Sequence, residues 1–345
     1  MYEIVVHKID IKSHMREKVE LFLASFGLAL DDDVEHTVIA RLDNRIIGTC
    51  SYAGKVIKCF AVAKEYQSIG VSERLLTEIT NVMFDQGIQD SFIFTRPENK
   101  VLFEGFGFKE IHTADNIVLL ESGSRDIKRY ISKMFKNSNL NDGPKAALVV
   151  NCNPFTLGHR YLIQKASEEN RQVIVFVVEE DLSLFPFHIR MKLIREGLKN
   201  LENVTVLPGG EYIISSGTFP TYFLREDEEK DKAYQSLDAG IFGKYIAPVF
   251  NIRKRYLGTE PYSKTTNEYN QAMMSILPKY GVEIVLVDRL EIDTKIVSAS
   301  TVRQLIKEDR WSEIKAMVPD STYNYLVSDD AALVLENIKK SNSRH

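Results

Sequence analysis

The sequence predicts an α/β protein in two parts. A mixed-sheet unit is expected over residues 1–121 and a doubly wound parallel α/β unit over residues 146–345, with a connector at 122–145. Three observations carry this expectation. The chain has 345 residues, long for one domain at roughly 150 residues each. β-rich runs separated by turn signals crowd the first part, whereas short, wholly apolar runs such as Ala146–Val150 alternate with helical spacing in the second. The run Lys136–Lys145, KNSNLNDGPK, is polar and turn-rich, as at a domain boundary.

In the first unit, Tyr2–Lys8 alternates like a strand, and Ser13 can cap a helix to about Ser25 with Val19, Phe22 and Leu23 on one face. Thr37–Arg41, Arg45–Tyr52 and Lys55–Val62 read as strands parted by Asp43-Asn44 and Ala53-Gly54. Gly70 opens a helix carrying Val71, Leu75, Ile79 and Met83 at helical spacing. Ser91–Thr95 is a strand and Lys100–Glu104 a short helix, and Phe108–Ile111 and Asn116–Leu120 close the sheet. The connector holds an apolar stripe of Ile127, Tyr130, Ile131, Met134 and Phe135 on a helix.

In the second unit the strands are Ala146–Val150, Gln172–Val178, Val204–Leu207 and Val282–Val287. The helices are one entered at Gly158-His159, then Ile189–Leu198, Asn267–Leu277 and one starting at Thr301. An amphipathic helix follows Ser328. This alternation is that of a parallel sheet with helices on both faces.

Hydrophobic residues make up 44% and charged residues 27%, enough apolar material for real cores. The net charge of −4 provides no global positive field, so a nucleic-acid partner is not expected. Three cysteines, Cys50, Cys59 and Cys152, are too few and too scattered for a disulfide framework or a structural zinc. No signal-peptide core and no apolar run of ~20 residues is present, so a soluble cytoplasmic protein without membrane contact is expected.

The informative stretch is Asn151–His159, NCNPFTLGH, between the first strand and first helix of the second unit. Ligands in such sheets sit beyond the carboxyl ends of the strands. Gly158 allows close backbone approach to an anion. His159 and Thr156 lie where free N–H groups and the helix dipole attract phosphate. There a neutral imidazole can donate a hydrogen bond without transferring a proton. Further along, Val297-Ser298-Ala299-Ser300-Thr301-Val302-Arg303 places three hydroxyls and a guanidinium at another helix start, with Ser298 or Ser300 as the N-cap.

Asn153-Pro154-Phe155-Thr156-Leu157-Gly158-His159 resembles the T/HxGH signature of the nucleotidyltransferase superfamily, and residues 297–303 resemble its ISxTxxR motif. Phe185–Leu198 is similar to the segment around its second helix, with Arg190 at a recurrent arginine. Relatives that use phosphopantetheine often carry lysines where this chain has Leu182-Ser183, and that departure argues against phosphopantetheine as the substrate. The resemblance implies a TxGH-type domain that binds ATP through Asn151, Asn153, Phe155, Thr156, Gly158, His159, Ser298, Ser300, Thr301 and Arg303, with His159, Thr156 and Arg303 catalytic. No Walker loop and no G-x-S-x-G elbow occurs.

Gln67-Ser68-Ile69-Gly70-Val71-Ser72 resembles the Q/R-x-x-G-x-G/A loop of GCN5-related N-acetyltransferases (GNAT), apart from Ser72 at its last position. Phe103–Phe108 is similar to a late segment of that family. The implied role of the loop is to hold the pyrophosphate of a coenzyme-A-like arm. A GNAT-like domain ahead of a TxGH domain resembles the citrate lyase ligase family across essentially the whole chain, including Thr218–Leu224 and Arg253–Asn270.

That resemblance implies adenylation of acetate by ATP, with Mg²⁺ on the phosphates and no protein residue assigned as a metal ligand. The acetyl group then passes to the thiol of the phosphoribosyl-dephospho-coenzyme A arm on the lyase's acyl-carrier subunit. AMP and pyrophosphate are released and the lyase becomes active. The alternatives are nucleotidyl transfer to a phosphorylated small metabolite and a non-catalytic acyl-coenzyme A sensor. Glu260 reads as ribose- or metal-facing or as a surface turn, Lys254 and Arg255 as solvated charges, and Arg225–Asp231 as an exposed mobile loop. Cys152 reads as a small buried residue and Trp311 as helix packing.

Overall fold

The computed structural model describes residues 3–10, 14–124, 126–179, 183–213, 227–259, 264–292 and 295–341. Ser13, Leu182, Glu260 and the stretch 218–224 lie outside the described residues. Contacts divide the chain into two units, Met1–Tyr130 with Phe219–Leu237, and Ile131–Thr218 with Asp238–His345.

The first unit is a seven-stranded mixed sheet. Its elements are β1 (Ile4–Ile9), α1 (Met15–Ala24), β2 (His36–Leu42), β3 (Arg45–Ala53), β4 (Val56–Val62), α2 (Val71–Asp85), β5 (Ser91–Thr95), α3 (Lys100–Glu104), β6 (Lys109–Ala114) and β7 (Ile117–Ser122). The strand order is β1-β2-β3-β4-β5-β7-β6. Neighbours are antiparallel except β4 and β5, which pair in parallel at Val56↔Phe92 and Ile57↔Ile93.

Helix α2 lays Val71, Leu75 and Ile79 onto this sheet, and the three are fully buried. Gly48 of β3 permits that approach, since a Cβ there would lie 2.7 Å from the Leu75 side chain. Cys50 and Cys59 are buried in the sheet. Burial raises both thiol pKa values, that of Cys59 to about 12.

Helix α4 (Ile127–Asn137) leads on to the second unit. That unit contains β8 (Lys145–Val150), α5 (Leu157–Glu169), β9 (Val173–Val177), α6 (Phe187–Leu198), β10 (Val204–Pro208), the end of α7 (Asp227–Ile241), a π-helical turn at Phe242–Ile246 and α8 (Ala247–Phe250). There follow β11 (Ile252–Gly258), α9 (Lys264–Ile276), β12 (Glu283–Val287), the short pair β13 (Glu291–Ile292) and β14 (Lys295–Ile296), then α10 (Ala299–Lys307), α11 (Trp311–Met317), α12 (Asp320–Leu326) and α13 (Ala332–Lys340).

The five-stranded sheet is parallel throughout, in the order β10-β9-β8-β11-β12. Chain order reverses between β8 and β11, and such a reversal opens a crevice at the carboxyl ends of the strands. The loop leaving β8 stands at that crevice. Leu148, Val175 and Val177 build one core with Ile163, Ala166, Leu193 and Ile194, and Trp311 packs half-buried against it.

Three expectations need correction. The segment Ile252–Gly258 is a strand that the sequence reading did not mark, because IRKRYLG carries three cations. Arg255 is not solvated. It is 1% exposed, lies 4.3 Å over the Phe242 ring, and donates from Nη2 to the Tyr269 hydroxyl at 2.7 Å. Tyr269 in turn donates to Asp238 at 2.7 Å, and the Asp238 carboxylate lies 3.8 Å from Arg255 Nη2, so one nitrogen of the guanidinium is served while Nε and Nη1 have no hydrogen-bond partner among the described residues. The acidic run expected as a mobile loop is helical from Asp227 onward, where α7 begins. Among the described residues, no helix is long and apolar enough to cross a membrane.

Candidate functional site

The site is assembled around the loop from β8 to α5. Asn151 is exposed, while Asn153 is buried and accepts at Oδ1 from the Phe185 N–H at 3.0 Å. Phe155 is fully buried; its carbonyl accepts from the Thr322 hydroxyl at 2.8 Å and its ring stacks near His159, with centroids 6.2 Å apart. Cys152 is 1% exposed, and burial raises its thiol pKa far above the ordinary range. These residues form the floor.

Thr156 is the N-cap of α5, in extended backbone at φ −119°. Its hydroxyl accepts from the His159 N–H, and its own N–H donates to His159 Nδ1 at 3.2 Å, which is a reciprocal capping box. An amide N–H cannot accept, so Nδ1 is the acceptor and the neutral ring carries its proton on Nε2. Burial, then the charge of Arg289, lowers the His159 pKa to about 4. At neutral pH the box therefore presents an uncharged N–H donor.

The sign of the resulting pH dependence follows from the lowered value. Above the ordinary histidine pKa, near 6.5, folded and unfolded forms are both neutral and His159 costs nothing. As pH falls from there toward about 4, only the unfolded chain gains the proton, so stability drops across that window. The expected NMR titration of the His159 ring has its midpoint near 4; a midpoint at 6.5 would show the ring freely solvated.

Gly158 is where the two motifs meet. A Cβ on it would lie 2.5 Å from the carbonyl oxygen of Val297, the residue before Ser298. Ser298 is the N-cap of α10, its hydroxyl accepting from the Thr301 N–H at 3.1 Å and lying 2.9 Å from that of Ser300 and 2.8 Å from that of Thr301. Two helix N-termini, each with unsatisfied N–H groups and the positive end of a dipole, thus stand side by side. Arg303, 8% exposed, donates from Nη1 to the Asn153 carbonyl, tying α10 to the loop. Burial lowers its pKa.

Arg190 of α6 completes the frame. It is fully buried, and Nη1 donates to the Asn151 carbonyl at 2.9 Å, to Asn151 Oδ1 at 2.8 Å and to the Val178 carbonyl at 2.7 Å. Nε donates to the Phe185 carbonyl at 2.9 Å. One side chain therefore locks the ends of β8 and β9 and the segment entering α6.

Sequence reading missed Arg289, just after β12, whose Nε donates to the Thr259 carbonyl at 2.8 Å and whose charge acts on His159. It also missed the Thr322 hydroxyl beneath Phe155. Neither residue lies in a recognisable motif, and both reach the site through chain folding alone. Among the described residues, no group of three or more His, Cys, Asp or Glu could hold a metal ion.

The other predicted residues lie in the first unit. Gly70 is the N-cap of α2 at φ +81°, the left-handed region that glycine enters without strain. The helix start has no side-chain cap. Gln67 donates from its amide to the Val62 carbonyl at 3.0 Å, Val71 and Ser72 are buried, and Ile69 is exposed. Ser68 precedes Ile69 on the exposed part of the turn.

The citrate lyase ligase C-terminal domain family matches residues 145–326, and the acetyltransferase (GNAT) domain family matches residues 13–117. The chain is 38% identical over 319 residues to a citrate pro-3S-lyase ligase of Klebsiella pneumoniae, covering 90% of this chain and 92% of that protein. The corresponding protein of Haemophilus influenzae is 35% identical, covering 92% of this chain and 97% of the relative. That of Escherichia coli is also 35% identical, with 90% and 89% covered.

Proposed function

The chain belongs to the citrate lyase ligase family, and from that premise we propose that it is an enzyme that ligates acetate to a carrier thiol at the expense of ATP. In the first step a carboxylate oxygen of acetate attacks the α phosphorus. The Pα–O bond to the β phosphate breaks, and pyrophosphate leaves with the electron pair. Acetate is an anion at neutral pH, so the attack needs no general base. The chain's task is to align the reactants and stabilise charge on the phosphate oxygens.

His159 donates from Nε2 to such an oxygen. Ser298, Ser300 and Thr301 add hydroxyl contacts, and the N-termini of α5 and α10 add backbone N–H groups. Arg303 contributes positive charge while holding the loop. Mg²⁺ bound to the phosphates would neutralise part of their charge; the donor set here suits an ion carried in by ATP, since ligands of that kind come from substrate oxygens and water. In the second step the carrier thiolate attacks the acetyl carbonyl and AMP leaves.

The observation that carries this reading is the neutral His159, fixed by its capping box beside a second helix N-terminus. Exchange of labelled pyrophosphate into ATP, with and without acetate, tests it. Acetate-dependent exchange is expected. Exchange that needs a phosphorylated metabolite instead would replace the reading with nucleotidyl transfer, and absence of any AMP formation would replace it with a sensor.

The carrier subunit's phosphoribosyl-dephospho-coenzyme A arm is the proposed acceptor, and the Gln67–Ser72 turn is proposed to hold an anionic part of it. Replacing Gly70 by leucine forces a side chain into left-handed backbone at a cost of about 1–2 kcal/mol, small against a typical 5–15 kcal/mol of folding stability. The variant is expected to fold and to show a carrier KM raised about tenfold or more (~1.4 kcal/mol). Unchanged transfer by the folded variant would remove this role.

A further inference from the structure

An open groove of about 570 Å³ runs along α6 to the end of β10, in the second unit. Its floor is apolar, made by Phe187, Met191 and Pro208. Its rim is polar: Lys192 and Arg195 supply two exposed cations along one side of the helix, with His188 and the carboxylate of Glu196 beside them. Among the described residues, Lys192 and Arg195 have no side-chain hydrogen bond or ion pair, so both cations are available to an anion lying along the helix.

The groove is joined to the candidate site by packing. The Arg190 guanidinium lies 5.6 Å from the centre of the Phe187 ring, and Arg190 grips Asn151 at the head of the nucleotide loop. Pro208 ends a strand at the same carboxyl edge of the sheet from which that loop departs. From Phe187 to Arg195 the helix advances about 12 Å. The groove therefore begins at Phe187, packed on the arginine that holds the β8–α5 loop, with apolar surface, and ends about 12 Å along the helix at Lys192 and Arg195, with Glu196 beside them.

We propose that this groove holds the pantetheine-diphosphate segment of the acceptor arm during acetyl transfer, with the chain on Phe187, Met191 and Pro208 and the diphosphate at Lys192 and Arg195. The inference rests on the ligase reading above and adds the path of the thiol. The occupant is fixed by charge and shape. An apolar and amide thread ending in two phosphates matches an apolar floor ending in two free cations, whereas an acidic peptide would leave the floor uncovered. This assignment takes the diphosphate from the Gln67–Ser72 turn, where the acetyltransferase resemblance places it, and leaves that turn the phosphate of the arm's phosphoribosyl group.

The test compares the wild-type chain with the double variant Lys192→Glu/Arg195→Glu, using the carrier subunit as substrate and 3′-dephospho-coenzyme A as inhibitor. Both substitutions lie on an exposed helix face, so the fold is retained, which circular dichroism checks. The expected result is a carrier KM and an inhibition constant each raised tenfold or more, with acetate-dependent pyrophosphate exchange unchanged, because exchange does not use the arm. A KM and an inhibition constant equal to wild type would overturn the groove. If the wild type lacks acetate-dependent exchange, the ligase reading fails separately. Direct titration of 3′-dephospho-coenzyme A into the two proteins then still decides whether α6 binds it: equal affinity rejects the groove, and tenfold weaker binding by the variant retains it.

Discussion

Replacing His159 by alanine is expected to slow acetate-dependent exchange of pyrophosphate into ATP by about 10²–10³-fold, the usual cost of removing one preorganised donor to a developing negative charge. The substitution takes away the Nε2 proton and one half of the capping box. The structural half of that loss is small, near 1 kcal/mol for a cap, so the protein remains folded. On the proposed role the chemical half is large because the half-buried ring is neutral and held by its capping box, so its donor need not shed a proton. A folded alanine variant with wild-type exchange would show that the imidazole only caps the helix.

Gly158→Ala should be nearly as damaging, for a different reason. Alanine in place of glycine within a helix ordinarily stabilises by up to about 1 kcal/mol. Here the new methyl would meet the Val297 carbonyl at 2.5 Å, and the obstacle is backbone, which cannot rotate away. Overpacking of this kind costs about 1–3 kcal/mol, so the net effect is destabilisation. More important for activity, relief of the clash requires the start of α5 to move away from the start of α10. The expected outcome is a melting temperature lowered by several degrees together with a large loss of exchange. A variant as stable and active as wild type would mean that the two turns are not held in this register. Glycine here serves the protein's own backbone as much as any ligand.

Both sheets were legible in the sequence where residues speak locally. Ala146–Val150 and Gln172–Val178 announce buried parallel strands because apolar residues run through them almost unbroken, whereas the Thr156 cap, one residue before the helix, was not legible: the sequence points to an entry at Gly158-His159. Strand β11 was not legible. Its cations look solvated until Phe242, Tyr269 and Asp238, from three other segments, close around Arg255. The start of α7 was not legible because its run of charged residues reads as an exposed loop.

At the candidate site the residues that two helix starts bring together could be named from motif spacing. What holds them could not. Arg190 works through main-chain carbonyls at Asn151, Val178 and Phe185, which have no signature in a sequence. Arg289 acts on His159 from a position 130 residues later. Periodicity reports how a segment is buried, and only the folded chain reports what it is buried against.

The state of the three thiols has a consequence for selectivity. An acetyl adenylate is an indiscriminate electrophile, and sulfur reacts with it only as the anion. Cys50, Cys59 and Cys152 are sealed from solvent and kept protonated, Cys152 within the loop that leads to the reaction centre itself. On the proposed reaction, an activated acetyl group formed there would meet no ionised thiol of the chain itself. Selectivity for a carrier thiol would then follow from silencing the host's own sulfur.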